Sequence, residues 1–450
     1  MKKYQSQYEK MTQQPVESLV AALAIPTTLS MLVTNMYNMV DTMFVGKLGT
    51  SASGAVGIVF GFMAMVQAFG FMFGQGAGSI IARRLGNRDT KTAGKVASTS
   101  FFFTLVIGIV IMLIGLHYIK PLVYLLGSTD TIFPYAKTYI TYILIAVPFM
   151  LCTFVMNNIL RFEGKASLAM IGVISGAILN MIGDPIFMFA MHMGIAGAGL
   201  STALSQCISF VLLLFMFLSG KTQSNLSIHN ITWKVKDILD IGETGLPSLL
   251  RQGLQSVSTV ILNSIAASYG DAPVAAMSIV SRISMFIFSV ALGIGQGFQP
   301  VCGYNYGAKK YSRVRKAFRF TLIISTILIG IFAVVGLLFS SKAIGVFRDD
   351  SEVIQFGIPA LHYQCIAMFL QPVIVLSNMT FQSVGRKKTA SVLSMLRSGI
   401  YFIPLILIFS TIFGKLGIQI AQPMSDILSF ITALPIIIFF LRRLPQDKEL

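Results

Sequence analysis

Residues 54–82 read GAVGIVFGFMAMVQAFGFMFGQGAGSIIA and contain no charged side chain. An α-helix of about 20 apolar residues is long enough to cross the roughly 30 Å hydrocarbon core of a bilayer. A helix also pairs all of its backbone groups internally, which lipid requires. This stretch therefore predicts a transmembrane helix.

Comparable apolar runs recur along the whole chain, separated by glycine, proline, asparagine and charged residues. With 55% hydrophobic and 11% charged residues, the composition excludes a water-soluble fold. Twelve spans are predicted, at residues 18–44, 54–82, 96–117, 136–160, 167–190, 195–218, 241–268, 274–302, 318–341, 354–382, 389–412 and 417–441. The fold class is an all-α integral membrane protein.

The net charge is +17, and the positions of the basic residues indicate the membrane topology. About 25 of the 34 Lys and Arg residues fall in alternate loops and at both termini, and the other side holds about six. Both termini are therefore predicted to be cytoplasmic in a multi-pass plasma (inner) membrane protein. Because topology accounts for the charge, no nucleic-acid partner is expected.

An internal repeat relates the two halves at an offset of 221 residues. The matching landmarks are Pro26 and Pro247, Gly49 and Gly270, 74–76 and 295–297 (both Gly-Gln-Gly), Gly86 and Gly307, and Gly164 and Gly385. Since six spans are an even number, the two halves cross the membrane in the same direction, as in transporters with parallel repeats and a central cavity. We expect an N-lobe (1–218, helices 1–6), a cytoplasmic linker (219–240) that permits relative motion, and a C-lobe (241–450, helices 7–12).

Two acids in the first half are the main functional candidates. Asp41 and Asp184 lie at similar depths in spans 1 and 5, with Asn180 one turn before Asp184 and Thr202 at a comparable depth in span 6. Their oxygen atoms suit a sodium ion, and a carboxylate pair also suits a proton. The sequence does not decide between sodium and protons. An alternative is that the two acids lie at the water interface and have no role in transport.

Two prolines lie in the spans that carry these acids. Pro185 follows Asp184 and frees the carbonyl of Met181 from its helical bond, and Pro26 weakens span 1 in the same way. A weakened helix beside a cation site is a candidate conformational switch.

The second half offers a different set of polar residues. Arg251 or Arg397 paired with Asp426 predicts an internal ion pair, in preference to a direct transport role. Gln252 and Gln255 in span 7 are candidates for a polar cavity wall or for helix–helix hydrogen bonds. No Walker A lysine, HExxH or GxSxG motif is present, so neither an ATPase nor a hydrolase is expected, and no cofactor beyond a coupling ion.

The chain resembles the multidrug and toxic compound extrusion family over nearly its whole length. The resemblance rests on Pro26, Tyr37 and residues 41–49 (DTMFVGKLG), on residues 295–300 (GQGFQP) and 303–308 (GYNYGA), and on the twelve-span repeat. It implies a V-shaped pair of lobes that exports amphipathic, often cationic drugs in exchange for protons or sodium.

In the family branch with a first-lobe coupling site, the matching positions are Asp41, Asn180, Asp184 and Thr202, with Pro26 in the helix that bends and Tyr37 nearby. Span 10 has no carboxylate, which disfavours the branch with a second-lobe site.

Two other functions are weighed against export. A flippase for lipid-linked saccharides often has fourteen spans and a basic cavity, whereas this chain has twelve predicted spans and few intramembrane cations. A membrane-embedded enzyme needs a nucleophile or metal constellation at one depth, and none is evident. The expected partners are small amphipathic drug-like molecules and membrane lipids, with no obligate protein partner.

Overall fold

The computed structural model describes residues 6–447, which contain helices and no β-strand. The long helices are α1 (Val16–Gly46), α2 (Thr50–Gly86), α3 (Thr90–His117), α4 (Phe133–Phe162), α5 (Ala166–Pro185, continued by a π-helix at Ile186–Ala190), α6 (Ile195–Leu218), α7 (Val235–Ala267), α8 (Asp271–Gly307), α9 (Tyr311–Leu338), α10 (Ser351–Met368 and Gln371–Ser383), α11 (Lys387–Met395, a π-helix at Leu396–Ile400, and Phe402–Phe413) and α12 (Lys415–Arg443). Short helices lie at Gln7–Gln13, Ile119–Leu125 and Ser340–Gly345, and a 3₁₀ turn at Ile228–Asn230. Part of the predicted basic charge of the termini falls on residues 1–5 and 448–450, outside the described residues.

The all-α membrane fold is confirmed. Ten helices within residues 6–447 are long and apolar enough to cross a membrane, and the two segments of α10, bent by 50°, meet the same criteria when they are taken together. The helix α7 is long enough at 33 residues, but its first half carries Lys236, Asp237, Asp240 and Glu243. Crossing by α7 stays a prediction.

Apolar side chains cover the outside of the helices as well as the inside. On α3, an exposed stripe follows helical spacing through Val106, Val110, Leu113 and Ile114. A soluble protein rarely presents such a continuous apolar surface to water. These positions fit contact with lipid.

The predicted repeat reappears in the backbone. Gly49 and Gly270 both have φ +110°, a conformation that glycine adopts without strain, at the turns before α2 and α8. The side chain of Asn157 donates to the carbonyl of Ala169 (2.8 Å), and that of Asn378, 221 residues later, donates to Ala390 (2.6 Å). Matching backbones and matching tertiary bonds show that each half is built on the same plan.

The chain folds into two compact units. The first unit is Leu29–Gly245, and the second unit is Met1–Thr28 together with Leu246–Leu450. Both borders fall inside a helix, in α1 beside Pro26 and in α7 beside Pro247. The lobe and linker boundaries expected from the sequence stay a prediction.

In the first unit, α4 is the central helix. Of its most apolar stretch, 78% is buried, more than in any other candidate span of the described chain. In the second unit, the equivalent helix α10 is interrupted between Met368 and Gln371, and Pro372 follows the break at a position that favours proline in a new helix. The sequence predicts α10 as one continuous span, and this interruption is a correction.

The segment between α6 and α7 packs against other parts of the first unit. Glu163, fully buried, accepts hydrogen bonds from the backbone N–H groups of Gln223 (2.9 Å) and Ser224 (2.8 Å). Ser98 on α3 donates to the carbonyl of Asn225 (3.0 Å) and accepts from the N–H of Ser227 (3.1 Å). These bonds fix the path of the segment across α3 and the α4–α5 turn.

Candidate functional site

The first unit assembles a polar cluster where α5 and α6 touch. The side-chain amide of Asn180 lies 3.2 Å from Thr202 Oγ1, 3.3 Å from Ser201 Oγ and 3.4 Å from Asp184 Oδ1. Ser201 Oγ donates in turn to the carbonyl of Asn180 (3.1 Å). Asn180, Asp184, Ser201 and Thr202 are all buried. Since an amide has two N–H donors, its hydrogen bonds are shared among three acceptors.

Asp41 on α1 completes the cluster. Its carboxyl group is a close neighbour of that of Asp184. Tyr37, one helical turn before Asp41, lies near both carboxyl groups, and the hydroxyl of Tyr139 on α4 reaches Thr202. Two neighbouring carboxyl groups repel each other when both are ionised, so the arrangement is suited to holding a proton or another positive charge.

Three oxygen atoms of the cluster are buried without a hydrogen-bond partner among residues 6–447. They are Asp41 Oδ1, Asn180 Oδ1 and Asp184 Oδ2. A buried oxygen without a donor costs about 1–3 kcal/mol, and more when it is charged. Hard oxygen ligands of this type suit a sodium ion, and the same carboxylates accept protons. The donor set therefore fits either coupling ion.

The backbone of α5 is adapted to this site. A Cβ atom added to Gly183 would lie 2.5 Å from Ser201 Oγ, so the glycine permits the close approach of α6. Directly after Asp184, Pro185 ends the α-helix and a π-helix begins at Ile186. Single π-turns are frequent at functional sites. The local geometry thus changes at the acid itself.

The other predicted residues lie elsewhere. Pro26 is inside α1, about four turns before Asp41. On α7, Arg251 donates to Asn378 (3.2 Å) and not to Asp426, Gln255 accepts a bond from Ser398 (3.0 Å), and Gln252 is half-buried.

Asp426 is the centre of a separate polar cluster in the second unit. One carboxylate oxygen accepts from Arg397 (2.7 Å) and Gln422 (3.2 Å), and the other accepts from Gln364 (3.0 Å) and Gln371 (3.1 Å). Gln364 and Gln371 lie on either side of the break in α10. Asp426 thus joins both segments of α10 to α11 and α12, and its charge is matched by Arg397.

Several residues of the two clusters were missed by sequence reasoning. Ser201 has only its position beside Thr202 to indicate it, and Tyr139 is one of 14 tyrosines. Gln364 and Gln422 carry no distinguishing pattern. A helical spacing rule finds neighbours on one helix, as for Asn180 and Asp184, but it does not find which helices pack together.

Comparison with known proteins agrees with this architecture. A model of the MatE family matches residues 26–186 and 247–408, two stretches that start at Pro26 and Pro247. The chain belongs to the MatE family. The family of transporters expected from the sequence is thereby confirmed, and the chain is a transporter rather than an enzyme.

Relatives of this MatE protein match over almost the entire chain. The multidrug export protein MepA of Staphylococcus saprophyticus is 24% identical over 426 residues, covering 94% of both chains. Solved structures include the outward-facing conformation of a multidrug resistance MATE family transporter of the MOP superfamily, with 25% identity and a TM-score of 0.92. A MATE protein in the bent conformation has 25% identity and a TM-score of 0.91. Each structure covers 98% of this chain, and 99% of its own chain is matched.

Proposed function

We propose that this MatE protein is a secondary active multidrug exporter that expels small amphipathic, often cationic molecules in exchange for protons or sodium ions. The observation that carries the proposal is the cluster of Asp41, Asn180 and Asp184, with its three buried oxygens that lack a donor. The multidrug export activity named for the staphylococcal relatives supports the choice of substrate class.

The cluster supplies the means of coupling. With both carboxylates ionised, the buried negative charges repel each other, and a bound proton or sodium ion relieves that repulsion. Ion binding thereby draws α1, which carries Asp41, toward α5, which carries Asp184. A ligand shifts a conformational equilibrium only through its different affinity for the two states, and this cluster binds a cation well only when the two helices are close.

Pro26 gives α1 a point at which to bend. Proline removes one backbone hydrogen bond and lowers the cost of a kink. The border between the two compact units falls at Thr28 and Leu29, next to this proline. We infer that cation binding at Asp41 changes the bend of α1 at Pro26 and so alters access to the drug site, with both chain termini on the cytoplasmic side.

Reconstituted vesicles test the function directly. Purified protein in liposomes is loaded with a fluorescent cationic dye, and a proton gradient or a sodium gradient is imposed separately. We expect one gradient to drive dye transport, which names the coupling ion, while a fluorescent lipid in the same membrane stays in its leaflet. Dye movement that ignores both gradients, or lipid translocation without dye transport, would contradict the proposal.

A further inference from the structure

An apolar groove lies in the second unit, where α10 and α12 end and α11 begins. Its volume is about 410 Å³, and it is lined by Phe381, Arg386, Thr389, Pro435, Ile436, Phe439 and Phe440. Five of these seven residues are apolar, and Arg386 is the one charged member. The groove belongs neither to the Asp41 cluster nor to the Asp426 cluster.

Two arginines stack on adjacent aromatic rings of the groove. The guanidinium of Arg386 lies 4.8 Å from the ring centre of Phe440, and that of Arg443 lies 3.9 Å from the ring centre of Phe439. Stacking uses the flat face of a guanidinium and leaves its edge N–H donors free. Within residues 6–447, neither guanidinium forms an ion pair or hydrogen bond.

The two arginines lie at the ends of candidate membrane spans. Arg443 is the last residue of α12, and Arg386 lies in the turn before α11, both candidate membrane spans. Lys388 and Arg442 are exposed beside them and add positive charge. At the end of a membrane span, the apolar acyl chains of a phospholipid give way to its phosphate group. The groove has the same order, with an apolar wall followed by arginines.

We propose that this groove binds one anionic phospholipid. Its acyl chains lie along the wall formed by Pro435, Ile436 and Phe439, and its phosphate accepts hydrogen bonds from Arg386 and Arg443. Arginine binds phosphate through paired N–H donors. A zwitterionic phospholipid brings a cationic ammonium group to the same cluster of cations and is disfavoured, so charge selects the anionic class.

The repeat provides an internal comparison. Lys165, which follows Gly164, corresponds to Arg386, which follows Gly385, and both glycines have positive φ, +81° and +85°. In the first unit, the ammonium of Lys165 donates to the carbonyl of Lys221, so the segment after α6 satisfies it. Of the two equivalent cations, Arg386 is therefore the one without such a partner in the described chain. We expect one lipid site, in the second repeat.

Native mass spectrometry of the purified full-length protein tests the proposal. Delipidated protein is mixed with phosphatidylglycerol or phosphatidylcholine, and the lipids retained after mild activation are counted. We expect wild type to retain one phosphatidylglycerol in preference to phosphatidylcholine. The double variant R386Q/R443Q should lose that preference by about tenfold, the effect of removing charge-assisted hydrogen bonds. K165Q, which removes a cation at the equivalent position, should bind as wild type.

A second variant separates the groove from general surface charge. Thr389→Trp fills the groove without altering charge, and it should also reduce retention while the melting temperature in detergent stays near that of wild type. The proposal would be overturned if K165Q lost the lipid preference as much as R386Q/R443Q does. Unchanged lipid binding in R386Q/R443Q or in a folded Thr389→Trp protein would also overturn it. So would displacement of the lipid by millimolar inorganic phosphate alone, because that result assigns the site to free phosphate.

Discussion

Asp184 and Asp426 are both completely buried, but Asp426 accepts four side-chain hydrogen bonds, whereas Oδ2 of Asp184 has no donor in the described chain. Asp426 is also paired with a cation, Arg397. Asp184 instead faces a second acid, Asp41. This difference supports different roles for the two acids: Asp426 holds the helices of the second unit together, and Asp184 is an acid that we propose binds the coupling cation.

Removal of the Asp426 charge should therefore destabilise the protein. Asp426→Asn leaves Arg397 without its anionic partner, and breaking a buried ion pair from one side costs about 3–5 kcal/mol. Thermal unfolding in detergent should show a clearly lower melting temperature than wild type. Arg397→Met combined with Asp426→Leu removes both charges and should recover much of the loss. Full stability of Asp426→Asn together with lost transport would instead place Asp426 in the coupling site.

The contact between Gly183 and Ser201 should be sensitive to a single methyl group. Gly183→Ala places a Cβ about 2.5 Å from Ser201 Oγ, so α6 must move away from α5. We expect reduced dye efflux in vesicles and a loss of about 1–3 kcal/mol in stability from overpacking.

Gly57→Ala is the matched control for that change. Gly57 also lies inside a membrane helix, α2, but nothing is within 4 Å of its added Cβ. This variant should transport and melt as wild type does. Normal efflux in Gly183→Ala would show that the spacing of α5 and α6 does not matter to the cluster.

Glu163 should give the protein a distinctive pH dependence. Burial raises the pKa of Glu163 above its usual range, despite the opposing hydrogen bonds from Gln223 and Ser224. The folded state thus binds this proton more tightly than the unfolded state does, and stability falls as pH rises from about 4.3 through the raised pKa. The melting temperature of wild type relative to Glu163→Gln should decrease over that window.

Asp89, the N-cap of α3, provides a control of opposite sign. Hydrogen bonds from the side chain and backbone of Thr92 hold the pKa of Asp89 below its usual range. The stability that Asp89 contributes is therefore present above the usual pKa of an aspartate and is lost as pH falls through the lowered pKa. The melting temperature of wild type relative to Asp89→Asn should increase with pH. If the two differences in melting temperature changed with pH in the same direction, the raised pKa assigned to Glu163 would be refuted.

Local signals in the sequence were enough for most of the long helices and for the repeat. Gly49 and Gly270 are landmarks because a positive φ is strained for other residues, and the structure places both at equivalent turns. Asn180 and Asp184 were assigned to one face because helical spacing places residues four apart together. These features depend on a few neighbouring residues.

Tertiary packing decided what the sequence left open. Both Arg251 and Arg397 were candidates to pair with Asp426, and the sequence did not distinguish them. The packing of α11 against α12 brings Arg397 to the acid, while Arg251 reaches Asn378 instead. The break in α10 was not predicted because residues 354–382 are continuously apolar enough for one span.

The cation-coupling role of the Asp41 cluster is tested most directly by ion release on drug binding. Purified protein in weakly buffered detergent is mixed with a cationic dye, and released protons are followed with a pH indicator and released sodium with a radioactive tracer. Wild type and Asp130→Asn, which alters an exposed acid bound to Tyr124, should release one kind of ion as dye binds. Asp41→Asn and Asp184→Asn should bind the dye without releasing that ion. Undiminished ion release from both folded variants would contradict the account.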